Sequence, residues 1–198
     1  MTQPTPAAAL DARLVRYFED VRAIAAQPLS PSAKVRRVRE LASALVAAPL
    51  VVGPEFRRFP ERGYGRNLLY RDPDHGFVVI AMVWPPASGG LPHDHGTWGV
   101  VAVAEGEVEV TNFEREDDGR DETHASLRSL GVVHGRPGAT ATVLPPHEDF
   151  HSVRNPSRER FAMTIHTYGC EPADFHRVDL ASGAMSRGTL AYDNVRAG

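Results

Sequence analysis

The chain is poor in the features that would take it outside the ordinary globular class. It has one cysteine, Cys170, so no disulfide forms within the chain, and a reducing compartment, the cytoplasm, is the expected setting. Basic charge is not in excess. The 22 Lys and Arg against 25 Asp and Glu give a net charge of -3, which leaves no electrostatic footprint for nucleic acid. No apolar run approaches the roughly 18 residues that span a bilayer, so no membrane association is expected. The opening MTQPTPAAAL lacks the basic segment and apolar stretch of a secretory signal. Internal repeats are lacking too, and compositional bias is confined to the Ala and Pro of the N-terminus. What is present is ordinary: 198 residues, 42% hydrophobic and 24% charged, enough for one domain with a real core and unlike a disordered chain.

Two helices are expected first. LDARLVRYFEDVRAIAAQ places Leu10, Leu14, Phe18, Val21 and Ile24 near helical spacing. LSPSAKVRRVRELASALVAA opens with Ser30-Pro31, a cap and a first-turn proline, and carries Val35, Val38, Leu41 and Leu45 along one side. From residue 66 onward the texture changes to short runs rich in Val, Ile, Thr and aromatics, divided by Gly, Pro or charged turns. The strands expected there are RNLLYR, GFVVIAMVW, WGVVAVAEG, EVEVTNFER, ASLRSL, ATATVL, DFHSVRN and RFAMTIHTY, with a further hairpin in HRVDLASGAMSRG. EREDDGRDE reads as a solvated hairpin tip. Helices leading into eight or more antiparallel strands predict an all-β core, a sandwich or barrel, under a helical cap. The expected organisation is one domain over residues 1–198, with the cap in 1–50 and the β region in 60–192.

The nine histidines are unevenly placed. His93 and His95 stand at i and i+2 in LPHDHGTWGVVAVAEG; in an extended chain they project from one face while Asp94 faces away. Two imidazoles so placed can share a metal ion or can be ordinary hydrogen-bonded histidines. His151 and His166 also fall in expected strands. His75, His124, His134 and His176 sit at turns or strand margins and read as surface residues. His147 stands four residues before His151, which is ligand spacing on a helix, but the prolines of LPPHEDFH argue against a helix there. In MTIHTYG, Thr164, His166 and Tyr168 stand at i, i+2 and i+4, so one strand face presents a hydroxyl, an imidazole and a phenol that can hydrogen-bond in a line.

HDHGTWGVVAVAEG resembles the first signature of the cupin family, with Gly106 as its closing glycine, and PHEDFHSVRN resembles the second, marked by Pro146, His151 and Asn155. The fold this implies is a double-stranded β-helix, a jelly-roll-like barrel. Two positions depart from the pattern. Glu148 stands where the second motif usually has glycine, and Gly99 stands where the first has its acidic fourth ligand. The second departure speaks against the four-ligand cupins such as the oxalate-cleaving enzymes and leaves a three-histidine site of His93, His95 and His151. Three neutral imidazoles suit Fe, Zn, Cu or Ni by ligand type alone.

The resemblance narrows to the cysteine dioxygenase type I branch, the thiol dioxygenases, over roughly residues 60 to 170. Tyr64, Arg66, Asn67 and Leu68 match a Tyr-x-Arg-Asn-Leu segment that precedes the HDH, and Thr164-His166-Tyr168 is similar to a Ser-x-His-x-Tyr relay. The resemblance implies Fe(II) on the three histidines, and a small carboxylated thiol and dioxygen as the reacting partners. Arg66, with Tyr64, would then bind the substrate, its guanidinium a fork for the carboxylate. Tyr168, oriented by His166 and Thr164, would donate a hydrogen bond to the reacting oxygen or the substrate. Trp98 and Phe150 are expected to pack near the metal as walls of the site, with plain core as the alternative for either. In the mammalian enzymes a cysteine near the HDH crosslinks to the catalytic tyrosine. Here Gly99 and Val100 hold that neighbourhood, and Cys170, two residues past Tyr168, is badly placed to reach its ring, so no crosslink is expected. HDHGTWG is similar to the bacterial mercaptopropionate branch, which usually has Gln where this chain has Arg66; the arginine suits cysteine or mercaptosuccinate equally. The alternatives are another metal-dependent cupin enzyme, an isomerase or a dioxygenase that cleaves carbon–carbon bonds, and a non-catalytic, ligand-binding sensor cupin.

Overall fold

Asp11 and Ser30 start the two helices. The Asp11 carboxylate accepts from the Arg13 N–H and the Ser30 hydroxyl from the Ala33 N–H, each satisfying one of the donors a helix start leaves open. Helix α1 runs Ala12–Ala25 and α2 runs Pro31–Leu45, as the periodicity predicts. The computed structural model describes residues 10–145, 149–172 and 174–195; Pro146, His147 and Glu148 lie outside the described residues.

Ten strands follow: β1 (Gly65–Arg71), β2 (Val78–Trp84), β3 (Gly99–Glu105), β4 (Val108–Arg115), β5 (Leu127–Gly135), β6 (Thr140–Val143), β7 (His151–Arg154), β8 (Ala162–Tyr168), β9 (Asp174–Val178) and β10 (Met185–Thr189). They form a five-stranded sheet in the order β1-β2-β8-β3-β6, a three-stranded sheet β5-β4-β7 and the hairpin β10-β9, all antiparallel. The expected mostly-β fold with two leading helices is therefore present. The sheets do not join into a closed barrel: β5 and β6 are unpaired edges, and Leu130, Val132 and Val133 of β5 stay more than half exposed. Strand β5 also outruns its expected stretch, through GVVHG.

The central strands β2 and β8 are buried along their whole length, which is why their sequences read as apolar runs rather than as alternation. The helices cover one face. Leu14, Tyr17, Val21 and Val38 pack there with Val79, Ala81, Val100, Ala102 and Ile165, and a fully buried Leu such as Leu14 contributes roughly 1.5–3 kcal/mol. Tyr17 reaches further, bonding the Thr167 hydroxyl at 2.7 Å. The opposite face, with Ile80, Met82, Trp84 and Tyr168, looks into the space between the sheets. The period of two thus sorts β8 cleanly: Met163, Ile165 and Thr167 toward the helices, Thr164, His166 and Tyr168 inward. The same period corrects one expectation. Trp98 shares parity with Val100 and Ala102 and packs in the helix-side core, not against the histidines. Phe150 does face the inter-sheet cavity, beside His151. No described helix is long and apolar enough to cross a membrane.

Candidate metal centre

The HDH segment forms no strand of its own, contrary to expectation. It is extended chain laid between β7 and β9. His93 and His151 exchange both backbone hydrogen bonds, at 3.0 and 3.1 Å. On the other side Asp94 N–H donates to His176 O and Val178 N–H to Pro92 O, which sets His93 opposite Arg177. The alternation holds even so. Asp94 turns away to accept from the His176 N–H and ring Nδ1–H, while His93 and His95 face inward with His151. The three ring centroids lie 4.7–4.9 Å apart. A nitrogen from each comes within 4.8 Å of the others.

The surroundings fix which nitrogens are free. A carbonyl only accepts, so His93 Nδ1 must be protonated to bond Leu91 O at 2.9 Å. Asp149 accepts from both the His95 N–H and its Nδ1, at 2.9 and 3.2 Å. Among the described residues this leaves His95 Nε2 buried without a hydrogen-bond partner, an orphan that a metal ion would satisfy. Burial, reinforced by the neighbouring histidines, lowers the His93 pKa to about 3 and that of His151 well below its ordinary value, so these rings are neutral at pH 7. Clustered imidazoles, with Nε2 left open on His93 and His95, are the donor set a divalent transition metal takes; the residues fit the group.

Beside the triad, the inward face of β8 carries a continuous hydrogen-bonded line. Thr164 Oγ1 meets His166 Nε2 at 2.8 Å, and His166 Nδ1 meets the Tyr168 hydroxyl at 2.9 Å. A residue that sequence reasoning missed sets its polarity. Trp84 Nε1–H, a donor only, bonds Thr164 Oγ1 at 2.8 Å. With that lone pair taken, the Thr164 hydroxyl donates to His166 Nε2, and His166 Nδ1–H donates to the Tyr168 oxygen. The Tyr168 proton is then left to point into the site. The opposite polarity would strand the proton of Thr164, which is fully buried. Burial keeps His166 neutral, its pKa lowered to about 3, and pushes the Tyr168 phenol up, so the line carries no charge at pH 7. The Tyr168 ring lies 5.3 Å from that of His95, nearly parallel.

Arg66 of β1 and Tyr64, which immediately precedes that strand, close the site. Tyr64 stacks on Trp84 with centroids 4.5 Å apart, and Arg66 donates to the Tyr64 hydroxyl at 2.6 Å with its guanidinium over the same ring. Tyr64, Arg66, His93, His95, Tyr168 and Phe175 line one pocket. The C-terminal residues Asp193 and Asn194 hold β1 in place by bonding the backbone of Arg66 and Leu68. All the candidate residues named from sequence, Tyr64, Arg66, His93, His95, His151, Thr164, His166 and Tyr168, thus fall within one neighbourhood. Asn155 does not. Its amide braces Trp84 O, Pro85 O and Arg160 O, a structural tie between loops.

Gly99 accounts for the lost acidic position. A Cβ there would come 2.8 Å from the Tyr168 ring, so the ring occupies the space a side chain would need. Cys170 is exposed. Besides Trp84, sequence reasoning overlooked Asp149 and Phe175. Asp149 was visible as a carboxylate two residues before a candidate ligand; nothing local marks Phe175, which reaches the site through strand pairing.

Antiparallel sheets with three inward histidines between them agree with the cupin fold expected from the two motifs. The sequence model of the cysteine dioxygenase type I family matches residues 14–179, and the chain belongs to that family. Among solved structures it is similar to a conserved protein with a double-stranded β-helix domain from Klebsiella pneumoniae, at 16% identity over 64% of this chain and 89% of that one, TM-score 0.47. It is similar also to a cupin superfamily protein from Desulfitobacterium hafniense, at 10% identity over 58% and 84%, TM-score 0.40.

Proposed function

We propose that the protein is an Fe(II)-dependent thiol dioxygenase that converts a small carboxylated thiol to its sulfinic acid. The overall change is R–S⁻ + O2 → R–SO2⁻. Two S–O bonds form, the O–O bond breaks, sulfur supplies the electrons that dioxygen takes up, and no outside reductant enters. The observation that carries this reading is the meeting of three clustered imidazoles, an arginine and an uncharged phenol in one neighbourhood.

His93, His95 and His151 would hold the metal. When bound, it supplies an open Lewis-acidic position that favours thiolate over thiol and the redox chemistry dioxygen requires. Arg66 binds the substrate carboxylate and so orients the sulfur, with Tyr64 fixing the guanidinium from one side. Tyr168 donates its free proton as a hydrogen bond where negative charge develops on oxygen, and the line through His166 and Thr164 to Trp84 keeps that proton aimed. Asp149 fixes the His95 tautomer.

The test is anaerobic loading with Fe(II) followed by an oxygen-uptake screen of cysteine, 3-mercaptopropionate, mercaptosuccinate and cysteamine. Uptake with at least one carboxylated thiol and formation of its sulfinate are expected. Full iron occupancy with no uptake on any thiol would overturn the reading in favour of a different cupin chemistry or a ligand-binding role.

A further inference from the structure

The space between the sheets is divided in two, and the pairings of β8 set the partition. His166 stands opposite Ile80 of β2 and Val101 of β3, and Thr164 stands opposite Met82 and Val103. Directly opposed residues of antiparallel strands project from one face. The Thr164-His166 line is therefore a ridge, with Ile80 and Met82 on one flank and Val101 and Val103 on the other. The pocket with Arg66 lies on the first flank, where Ile80, Met82, His93 and His95 line it. On the second flank lies a cavity of about 420 Å3 that touches Val101, Val103, Thr164 and His151. The two share no lining residue among the described ones. The three histidines thus stand in the wall between them, and the mechanism above uses only one side.

The cavity differs in kind from the Arg66 pocket. Among the described residues no Asp, Glu, Lys or Arg lines it; valines of β3 to β7, with Phe113 and Phe150, supply most of its wall. A carboxylated thiol finds no cation there and would lose its hydration without a partner. Dry apolar cavities do take small apolar guests. Val101 shows that this one is open: it is only half-buried, whereas Val100 and Ala102 beside it are 1% and 0% exposed. The mouth lies between the unpaired edges of β5 and β6, where Leu130, Val133 and Ala141 line the cavity and are exposed. The Arg66 pocket, by contrast, has about 30 Å3, room for about two water molecules. A thiol seated there leaves no passage beside it for a second reactant.

We propose that this cavity is a gas site that passes dioxygen to the His151 side of the metal centre, by an entrance separate from the one the thiol takes. The proposal rests on the thiol dioxygenase reading for the identity of the gas but not for the site itself. The thiol enters where a guanidinium meets its carboxylate, and dioxygen, apolar and uncharged, enters between β5 and β6.

Two arms on the full-length chain test it. In the first, methyl NMR of the metal-free protein is recorded under xenon pressure, so that neither thiol nor turnover is involved. The methyls of Val101, Val103 and Val110 should shift, while those of Met82 and Leu190 in the Arg66 pocket should not. Ala141→Phe, which puts a ring in the mouth opposite Val101, should weaken those shifts. An absence of valine shifts, or shifts confined to the Arg66 pocket, would overturn the proposal. In the second arm, oxygen dependence is measured on the iron-loaded enzyme at saturating thiol. Ala141→Phe should lower kcat/KM for dioxygen about tenfold, the low end of the range over which association rates respond to such changes. It should leave KM for the thiol, and kcat at saturating dioxygen, unchanged. An unaltered oxygen dependence in a variant whose xenon shifts are lost would overturn the proposal. Should Ala141→Phe fail to fold, the wild-type xenon shifts and Ala141→Leu still decide. Valine shifts with no oxygen uptake on any thiol would sink the dioxygenase reading and leave the gas site standing.

Discussion

Arg66 and Trp84 are the single side chains on which the proposed chemistry depends most directly. Leaving one partner of a desolvated charge pair alone commonly costs about 2–5 kcal/mol, roughly 30-fold to several thousand-fold in rate. Arg66→Gln should therefore lower kcat/KM on the best carboxylated thiol by that much, and by less on cysteamine, which has no carboxylate. Steady-state oxygen uptake on both thiols measures the difference; equal losses would mean that Arg66 shapes the pocket without reading the substrate. Trp84 acts at one remove. It supplies the obligatory donor that orients Thr164, His166 and Tyr168 in sequence. Trp84→Phe should keep the stack on Tyr64 and full iron content yet lower kcat about tenfold, the value of one hydrogen bond in a buried chain. Parallel assays of iron and turnover separate that outcome from simple loss of the metal site.

At the scale of elements, turns and register hold the site together. Gly106 joins β3 to β4 at φ +70°, and a Cβ there would come 2.4 Å from Phe161 O, so both conformation and space require glycine. Gly106→Ala should destabilise the fold by about 1–3 kcal/mol in urea unfolding while the folded fraction still binds iron; an unchanged midpoint would mean that the turn relaxes freely. The Thr-His-Tyr line was legible from its spacing within one strand, and the facing of His93 and His95 from their alternation, whereas this glycine and His151 were marked only by the resemblance of their motifs. Both helices were legible through their caps and periodicity. Other features were hidden for a shared physical reason. The HDH segment is extended because β7 and β9 pair with it, not because of its own residues, and Phe175 reaches the site only through that pairing. Trp98 was misjudged by proximity in sequence, although the period of two, applied from Val100, already assigned it to the helix side. Barrel closure depends on how two distant edges meet, and nothing in β5 or β6 encodes it.

At the scale of the whole molecule, the fold keeps several imidazoles neutral in a dry interior, and this makes stability depend on pH. His166 is neutral when folded, with its pKa lowered to about 3, whereas an unfolded histidine titrates near 6.5. Below pH 6.5 the unfolded chain binds protons that the native state refuses, so stability falls as the pH falls from 6.5 toward 3, by up to about 1.4 kcal/mol per pH unit for each such ring. His151 shifts in the same direction. The carboxylates held low, such as Asp72 at about 2, add their losses only below about pH 4, so the interval from 6.5 to 4 isolates the histidines. Denaturant midpoints of metal-free protein should fall across that interval, and a flat profile would mean that the rings are charged or hydrated in the native state.

The central claim is that this three-histidine pocket directs both atoms of one dioxygen molecule onto a thiolate. Turnover of the iron-loaded enzyme under 18O2 in unlabelled water, followed by mass spectrometry of the sulfinate, tests it most directly. Two labelled oxygens in each product molecule are expected, with the signal abolished in His151→Ala. A single labelled oxygen, or product oxygen drawn from water, would contradict the account.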